Sequence, residues 1–140
     1  NGQFHLSYIL TNLKNIFLRP ITLGEGLSLE YPIFDGFLFY IANPFFLVLF
    51  GQVISDLRHK RMRTLHIVLL GAMLANLLFL CVHKTFGGWQ FGARYTVDML
   101  PMAIMYLLLK KEEPGGISAF IMAAGMMFNL YGALAMTMLH

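Results

Sequence analysis

Charged residues are scarce in this chain. Only 12% of its 140 residues are charged, whereas soluble domains carry about 25%. Hydrophobic residues make up 58%, and the mean hydropathy is +0.67. A soluble protein with this much apolar surface would expose large patches and aggregate. The composition therefore excludes an ordinary soluble domain and predicts an integral membrane protein.

Several sequence signals are also absent. The chain has one cysteine, Cys81, which excludes a framework of intramolecular disulfides. It contains no zinc-ligand spacing, phosphate-binding P-loop, dinucleotide fingerprint or nucleophile elbow, so we expect no metal and no cofactor. It begins at Asn1 and lacks the pattern of a signal peptide. We therefore expect it to be a fragment of a longer protein.

Long apolar runs predict an all-α bundle of four membrane-spanning helices, at residues 36–54, 64–83, 95–109 and 117–139. Asn43-Pro44 is expected to interrupt the first span, because proline breaks the helical hydrogen-bond ladder. The third span is short and contains Asp98. We therefore expect the Gly- and Trp-containing segment before it to enter the membrane as irregular backbone beside a cavity.

Small and polar residues recur at helical spacing in the second and fourth spans. They are Gly71, Ala72, Ala75 and Asn76 in one, and Gly125, Asn129 and Gly132 in the other. Small residues allow helix backbones to approach closely in membranes. Both stripes therefore predict helix–helix packing.

The N-terminal region differs from the rest. Residues 4–18 have apolar side chains on one helical face, while Ser7, Thr11, Lys14 and Asn15 fall on the other. This pattern predicts an amphipathic helix that lies at the membrane interface, or alternatively one that packs on a partner domain. We expect residues 1–35 to form this helix and a loop, and residues 36–140 to form a single-domain bundle.

The segment 55–63 is strongly basic, with Arg58, Lys60, Arg61 and Arg63 against Asp56 alone. Between two spans, such a loop indicates a cytoplasmic position rather than nucleic-acid binding, and it can contact anionic lipid headgroups. Loop 110–116 then also lies in the cytoplasm. Both chain termini and the segment 84–94 lie outside, so the candidate functional residues share the outer face.

The stretch Phe91-Gly-Ala-Arg-Tyr-Thr-Val-Asp-Met-Leu-Pro101 resembles a motif near the end of multi-spanning glycosyltransferases that use lipid-linked sugars. These are the GT-C type enzymes, similar to the dolichyl-phosphate-mannose protein mannosyltransferases and their uncharacterised bacterial relatives. The segment from His5 to Pro20 resembles the outer-face segment before their late helices. The resemblance implies the C-terminal part of such an enzyme, in a bacterial inner membrane.

The resemblance also implies a substrate site for a polyprenyl-phosphate sugar. Its candidate residues are Arg94, Trp89, Tyr95, Asp98, Lys84 and His5. Arg94 and Lys84 would meet the phosphate, and Trp89 and Tyr95 would stack on the sugar. Asp98, four residues after Arg94, would orient it within one helical turn. The alternative is a structural Arg94–Asp98 pair, with both aromatic residues in the interfacial belt.

The chain departs from the family in one important respect. GT-C enzymes carry their catalytic Asp in the first outer loop and have eight or more spans, so this chain has no expected catalytic residue. Two further functions remain open. One is a non-enzymatic membrane scaffold or assembly subunit, and the other is a small transporter that uses Asp98 and Arg94. Membrane lipid and missing N-terminal spans or partner subunits are the expected partners.

Overall fold

The computed structural model describes residues 2–24, 29–30, 38–85, 94–110 and 115–138, with only the backbone described at Leu29 and Arg94. This part of the chain is mostly helical, as predicted. Its helices are α1 (Tyr8–Leu18), α2 (Phe39–Ala42), α3 (Phe45–Arg58), α4 (Thr64–Val82), a 3₁₀ helix (Arg94–Met99), α5 (Leu100–Leu108) and α6 (Gly116–Met138). The predicted loop after α1 also contains a short antiparallel ribbon, β1 (Thr22–Leu23) with β2 (Leu29–Glu30).

The helices pack in a defined order. α4 lies between α1 and α5, and α3 lies between α5 and α6. The core is apolar and draws on six of the helices; its most buried members include Ile16, Phe46, Leu49, Met73 and Ala103. Ile16 is buried on α1, whereas Leu6 and Leu10, which the amphipathic pattern assigned to the same apolar face, are exposed.

Among the described residues, two helices, α4 and α6, are long and apolar enough to cross a membrane. Only 22% of the apolar window of α4 and 11% of that of α6 are buried within the chain. A core helix of a soluble protein would be mostly buried, so these values favour association with a membrane. The other two predicted spans do not form single long helices in the described residues, so the structure does not show four spans.

The first predicted span is divided at the expected position. α2 ends at Ala42, and α3 begins after Pro44. The break frees the carbonyl of Ala42, because the amide of Phe46 donates to Asn43 instead. The side chain of Asn129 in α6 donates to this carbonyl over 2.7 Å. The polar side chain that satisfies the carbonyl freed at the break is therefore that of Asn129.

The small-residue stripe of α6 is confirmed, and that of α4 is not. Gly125 and Gly132 are buried, and a Cβ added at Gly125 would lie 2.8 Å from Cδ of Pro44. On α4, Gly71 and Ala75 are exposed, and a Cβ at Gly71 would meet nothing within 4 Å. Within the described residues, α4 packs through other faces, which carry residues such as Leu69 and Met73.

Candidate functional site

Two polar-lined cavities lie at opposite ends of the α4–α5 pair. The Asp98 cavity has a volume of about 410 Å³ and is lined by Phe4, Asn76, Phe79, Leu80, His83, Thr85, Tyr95 and Asp98. The His66 cavity has a volume of about 250 Å³ and is lined by Asp56, Arg61, Arg63, His66, Leu109 and Lys110. The first lies where α4 ends and the 3₁₀ helix begins, and the second where α4 begins and α5 ends.

The N-terminal segment closes one side of the Asp98 cavity by capping α4. The amide of His5 donates to the carbonyl of Val82 over 2.9 Å, and the amide of Lys84 donates to Gln3 over 2.7 Å. The side chain of Asn12 donates to the carbonyls of Cys81 and His83, at 2.9 and 2.8 Å. The last carbonyls of a helix have no partner within the helix. These bonds satisfy the last two carbonyls of α4, those of Cys81 and Val82, and hold the N-terminal segment against the helix.

Capping places Phe4 at the cavity. Phe4 pairs with His83 in an isolated antiparallel bridge, and their rings are 4.9 Å apart between centroids. The ring of Phe4 also lies 5.5 Å from that of Phe79. Residues 4–7 are therefore not helical, and the predicted helix over residues 4–18 begins only at Tyr8.

The predicted site residues divide into three groups. Tyr95 and Asp98 line the Asp98 cavity. His5 and Lys84 are exposed and lie beside it through the backbone bonds of the capping segment. Trp89 and the side chain of Arg94 lie outside the described residues. The structure thus brings together Tyr95 and Asp98 from the motif and leaves the roles predicted for Trp89 and Arg94 untested.

The pairing of Arg94 with Asp98 stays a prediction, but the helical register between the two residues differs from the expected one. Both residues belong to the 3₁₀ helix Arg94–Met99 rather than to an α-helix. Residues four apart share a face in an α-helix, but a 3₁₀ helix has three residues per turn. Four residues therefore overshoot a 3₁₀ turn by about 120°. Asp98 faces the cavity without the α-helical register on which the sequence argument relied.

The Asp98 cavity combines apolar and polar walls. Phe4, Phe79 and Leu80 supply apolar surface, while Asp98, Asn76 and Thr85 supply hydrogen-bonding groups. Ligand sites commonly have this composition, with a few polar groups that fix orientation in an apolar pocket. Among the described residues, no group of three or more His, Cys, Asp or Glu side chains is placed to hold a metal ion.

A buried polar cluster adjoins the His66 cavity. Asp56 accepts hydrogen bonds from the Tyr106 hydroxyl at 2.9 Å and from the Lys110 ammonium group at 3.0 Å. Lys110 also donates to Gln52. Asp56 is buried, and hydrogen bonds from a hydroxyl and an ammonium group stabilise its charged form. Asp56 is therefore a carboxylate at neutral pH.

His66 forms another part of this cavity. It is only 3% exposed, and its ring centroid lies 4.6 Å from that of Tyr106. Its Nδ1 accepts a hydrogen bond from the Arg63 amide over 3.2 Å, as in the side-chain half of a capping box. Nδ1 is therefore unprotonated, and the ring proton lies on Nε2. This Nε2 is buried and has no hydrogen-bond partner among the described residues.

Sequence reasoning missed the His66 cavity. It placed Asp56 in a basic loop over residues 55–63, but α3 continues to Arg58 and Asp56 is buried. The available signals were a lone acid among basic residues and a histidine three residues after Arg63. The partners of Asp56, Tyr106 and Lys110, are 50 and 54 residues away in sequence, and no local pattern connects them.

Comparison of the chain with models of protein families, with curated proteins and with solved structures finds no match. The resemblance to GT-C enzymes therefore rests on the residues that carry it.

Proposed function

We propose that this chain is the C-terminal transmembrane portion of a glycosyltransferase that uses a lipid-linked sugar, and that the Asp98 cavity contributes to its donor site. One observation supports this most directly. Tyr95 and Asp98, which belong to the motif that resembles one in GT-C enzymes, line a cavity of about 410 Å³ that is large enough for a sugar group. The phosphate-linked lipid would extend from it along the apolar surface of α4.

The cavity walls suit a sugar linked to a polyprenyl phosphate. The Asp98 carboxylate and the Thr85 hydroxyl can accept hydrogen bonds from sugar hydroxyls. The rings of Tyr95 and Phe79 offer flat apolar surface to the face of a sugar. The apolar side of the cavity at Phe4 is compatible with the first isoprene units. The donor would therefore be recognised by both its polar and its apolar parts.

We assign the phosphate to Arg94, assisted by Lys84. Arg94 is the first residue of the 3₁₀ helix, next to Tyr95, and Lys84 precedes Thr85. Arginine suits phosphate because its planar guanidinium donates two hydrogen bonds at once. No residue of this chain is assigned as the catalytic base. In this proposal the base comes from N-terminal spans of the same protein or from a partner subunit.

The proposal includes a definite membrane arrangement. α4 and α6 cross the bilayer, α2 with α3 forms another span, and the 3₁₀ helix with α5 forms the fourth. α1 lies along the outer interface, and the Asp98 cavity opens on the same side. The basic turn after α3 lies in the cytoplasm of a bacterial cell, beneath the inner membrane.

Binding of polyprenyl phosphate to the intact protein in nanodiscs tests the assignment. We expect Arg94→Lys to weaken binding about tenfold, because a point charge replaces a two-pronged donor, and Arg94→Gln to weaken it further. Lys14→Gln is the matched control, since Lys14 is an exposed cation on α1 that does not line the cavity. Unchanged affinity in both Arg94 variants would reject the phosphate role.

A second candidate function is that of a membrane assembly subunit. The observation that favours it is the uncovered stripe of Gly71 and Ala75 on α4, since small residues often mark contacts between membrane helices. If the intact protein fails to bind polyprenyl phosphate, and Gly71→Leu dissociates a complex that Gly51→Leu leaves intact, this function replaces the first. Gly51 is the control because it is also an exposed helical glycine with open space around it.

A further inference from the structure

The described lining of the Asp98 cavity contains one carboxylate and no lysine or arginine. Apart from Asp98, the lining side chains are uncharged when His83 is neutral, and they are Phe4, Asn76, Phe79, Leu80, His83, Thr85 and Tyr95. Lys84 lies beside the cavity but does not line it. A carboxylate next to apolar walls attracts cations more strongly than one on an open surface, because those walls have a low dielectric constant. The charge of the lining therefore favours a positively charged ligand.

The carboxylate of Asp98 is available to such a ligand. Asp98 is exposed, and it has no hydrogen bond or ion pair with another described residue. In the proposed function the side chain of Arg94 binds the phosphate and so does not neutralise Asp98. The inference below rests on the proposed function in this respect alone, and a variant of Arg94 tests it.

His83 adds a hydrogen-bond acceptor to the same cavity. Its Nδ1 lies 2.8 Å from the carbonyl oxygen of Thr85 and 3.2 Å from the amide nitrogen of Thr85. A carbonyl oxygen only accepts, so the shorter contact places the proton on Nδ1, and Nε2 of the neutral ring is an acceptor. This Nε2 has no partner among the described residues and is not one of their buried, unpartnered polar atoms. It is therefore open to a ligand.

Aromatic side chains form much of the remaining wall. Phe4, Phe79 and Tyr95 are 51%, 63% and 41% exposed, so other parts of the chain leave much of their surface uncovered. The rings of Phe4 and Phe79 lie 5.5 Å apart between centroids. The face of an aromatic ring attracts a cation within about 6 Å of its centroid. Carboxylate, imidazole acceptor and aromatic rings therefore favour the same ligand, an ammonium group.

We propose that the Asp98 cavity binds a protonated amino group, which donates hydrogen bonds to Asp98 and to Nε2 of His83 and contacts the rings of Phe79 and Tyr95. The amino group belongs to the donor sugar of the proposed function or to the ethanolamine headgroup of a membrane lipid. Both ligands also contain a phosphate, which suits the assignment of that group to Arg94 beside the cavity.

Two pairs of probes that differ by an amino group in place of a hydroxyl test the proposal. They are ethanolamine with ethylene glycol, and glucosamine with glucose. The intact protein is titrated with each probe in nanodiscs of phosphatidylglycerol, which contain no amine. Binding is followed by the ¹⁵N resonance of His83 Nε2, which is identified by its loss in His83→Phe. We expect each amine to bind at least tenfold more tightly than its neutral partner. Equal affinities within both pairs would overturn the proposal.

Variants with matched controls separate the cavity from general attraction of cations. Asp98→Asn should lower ethanolamine affinity at least tenfold, whereas Glu30→Gln removes an exposed acid that does not line the cavity and should have little effect. Phe79→Leu should lower it about threefold, and Phe120→Leu, on an exposed ring of α6, should leave it unchanged. Equal losses in Asp98→Asn and Glu30→Gln would overturn the proposal.

Two measurements distinguish failure of this inference from failure of the proposed function. A protein that prefers ethanolamine to ethylene glycol but does not bind polyprenyl phosphate rejects the proposed function alone. Binding of polyprenyl phosphate without that preference overturns this inference alone. Arg94→Gln should keep its ethanolamine affinity. A gain of tenfold or more in this variant would show that Arg94 neutralises Asp98, and it would overturn the proposal.

The source of the amino group is assigned by adding phosphatidylethanolamine to the nanodiscs. A shift of the His83 resonance with this lipid alone assigns the lipid headgroup. A shift with glucosamine but not with the lipid assigns the donor sugar. No shift with any amine would overturn the proposal.

Discussion

Replacement of Lys110 by Met should strongly destabilise the protein, and an accompanying change at Asp56 should partly reverse the effect. The side chains of Lys110 and Asp56 are only 9% and 2% exposed, and their charged groups lie 3.0 Å apart. In Lys110→Met, the buried carboxylate of Asp56 keeps only the hydrogen bond from the Tyr106 hydroxyl within this cluster. Removing one partner of a buried ion pair costs about 3–5 kcal/mol, because the other charge stays buried and uncompensated.

The structure also predicts the order of stability of the variants of this cluster. Tyr106→Phe removes one hydrogen bond to a charged acceptor and should cost about 1.5–3 kcal/mol. Asp56→Asn/Lys110→Met removes both charges, so it should be more stable than Lys110→Met alone even though it carries an additional substitution. The coupling energy between Asp56 and Lys110 should therefore be about 2 kcal/mol or more.

Reversible unfolding in mixed micelles, followed by helical circular dichroism, measures these differences. Lys60→Met is the control, because Lys60 is an exposed cation in the turn that follows α3, and it should change the free energy of unfolding by less than about 0.5 kcal/mol. If the effects of Asp56→Asn and Lys110→Met simply add, the ion pair does not stabilise the fold in the way described.

Two further predictions concern packing and topology. Gly125→Val should destabilise the protein by about 1–3 kcal/mol, because its Cβ would lie 2.8 Å from the ring of Pro44. Gly71→Val is the control, because the space around Gly71 is open. An equal loss of thermal stability in both variants would contradict the contact between Gly125 and Pro44. A cysteine introduced in place of Lys60 should resist a membrane-impermeant thiol reagent in intact cells, since the basic turn is placed in the cytoplasm. The native Cys81 is buried and serves as the unlabelled background. Labelling of the introduced cysteine from outside would contradict the proposed topology.

Helix positions followed from the sequence where a local signal was strong. α4 and α6 were predicted to within one residue at each end, because continuous apolar runs are bounded by polar residues. The break at Asn43-Pro44 was also predictable, because proline cannot donate a backbone hydrogen bond. The 3₁₀ turn from Arg94 to Met99 was not predicted, since its sequence differs little from that of an ordinary helix start.

The candidate sites were predictable only in part. Tyr95 and Asp98 were selected from one short motif, and both line the same cavity. Phe4 and His83 were not selected, because they meet only when the N-terminal segment pairs with the end of α4. The His66 cavity was missed, because its polar groups come from α3, α4 and the turns that follow α3 and α5, and each looks ordinary in its own sequence context.

The helical class, the apolar character and the positions of the long helices could be predicted from the sequence, because hydropathy and backbone restrictions act over a few neighbouring residues. Tertiary structure alone decided which polar groups are satisfied. Asn12 caps α4, Asn129 satisfies the carbonyl freed at Ala42, and Asp56 pairs with Lys110, and each of these contacts joins residues at least 54 positions apart. A buried polar group must find a partner wherever packing brings one, and that partner depends on how the helices assemble.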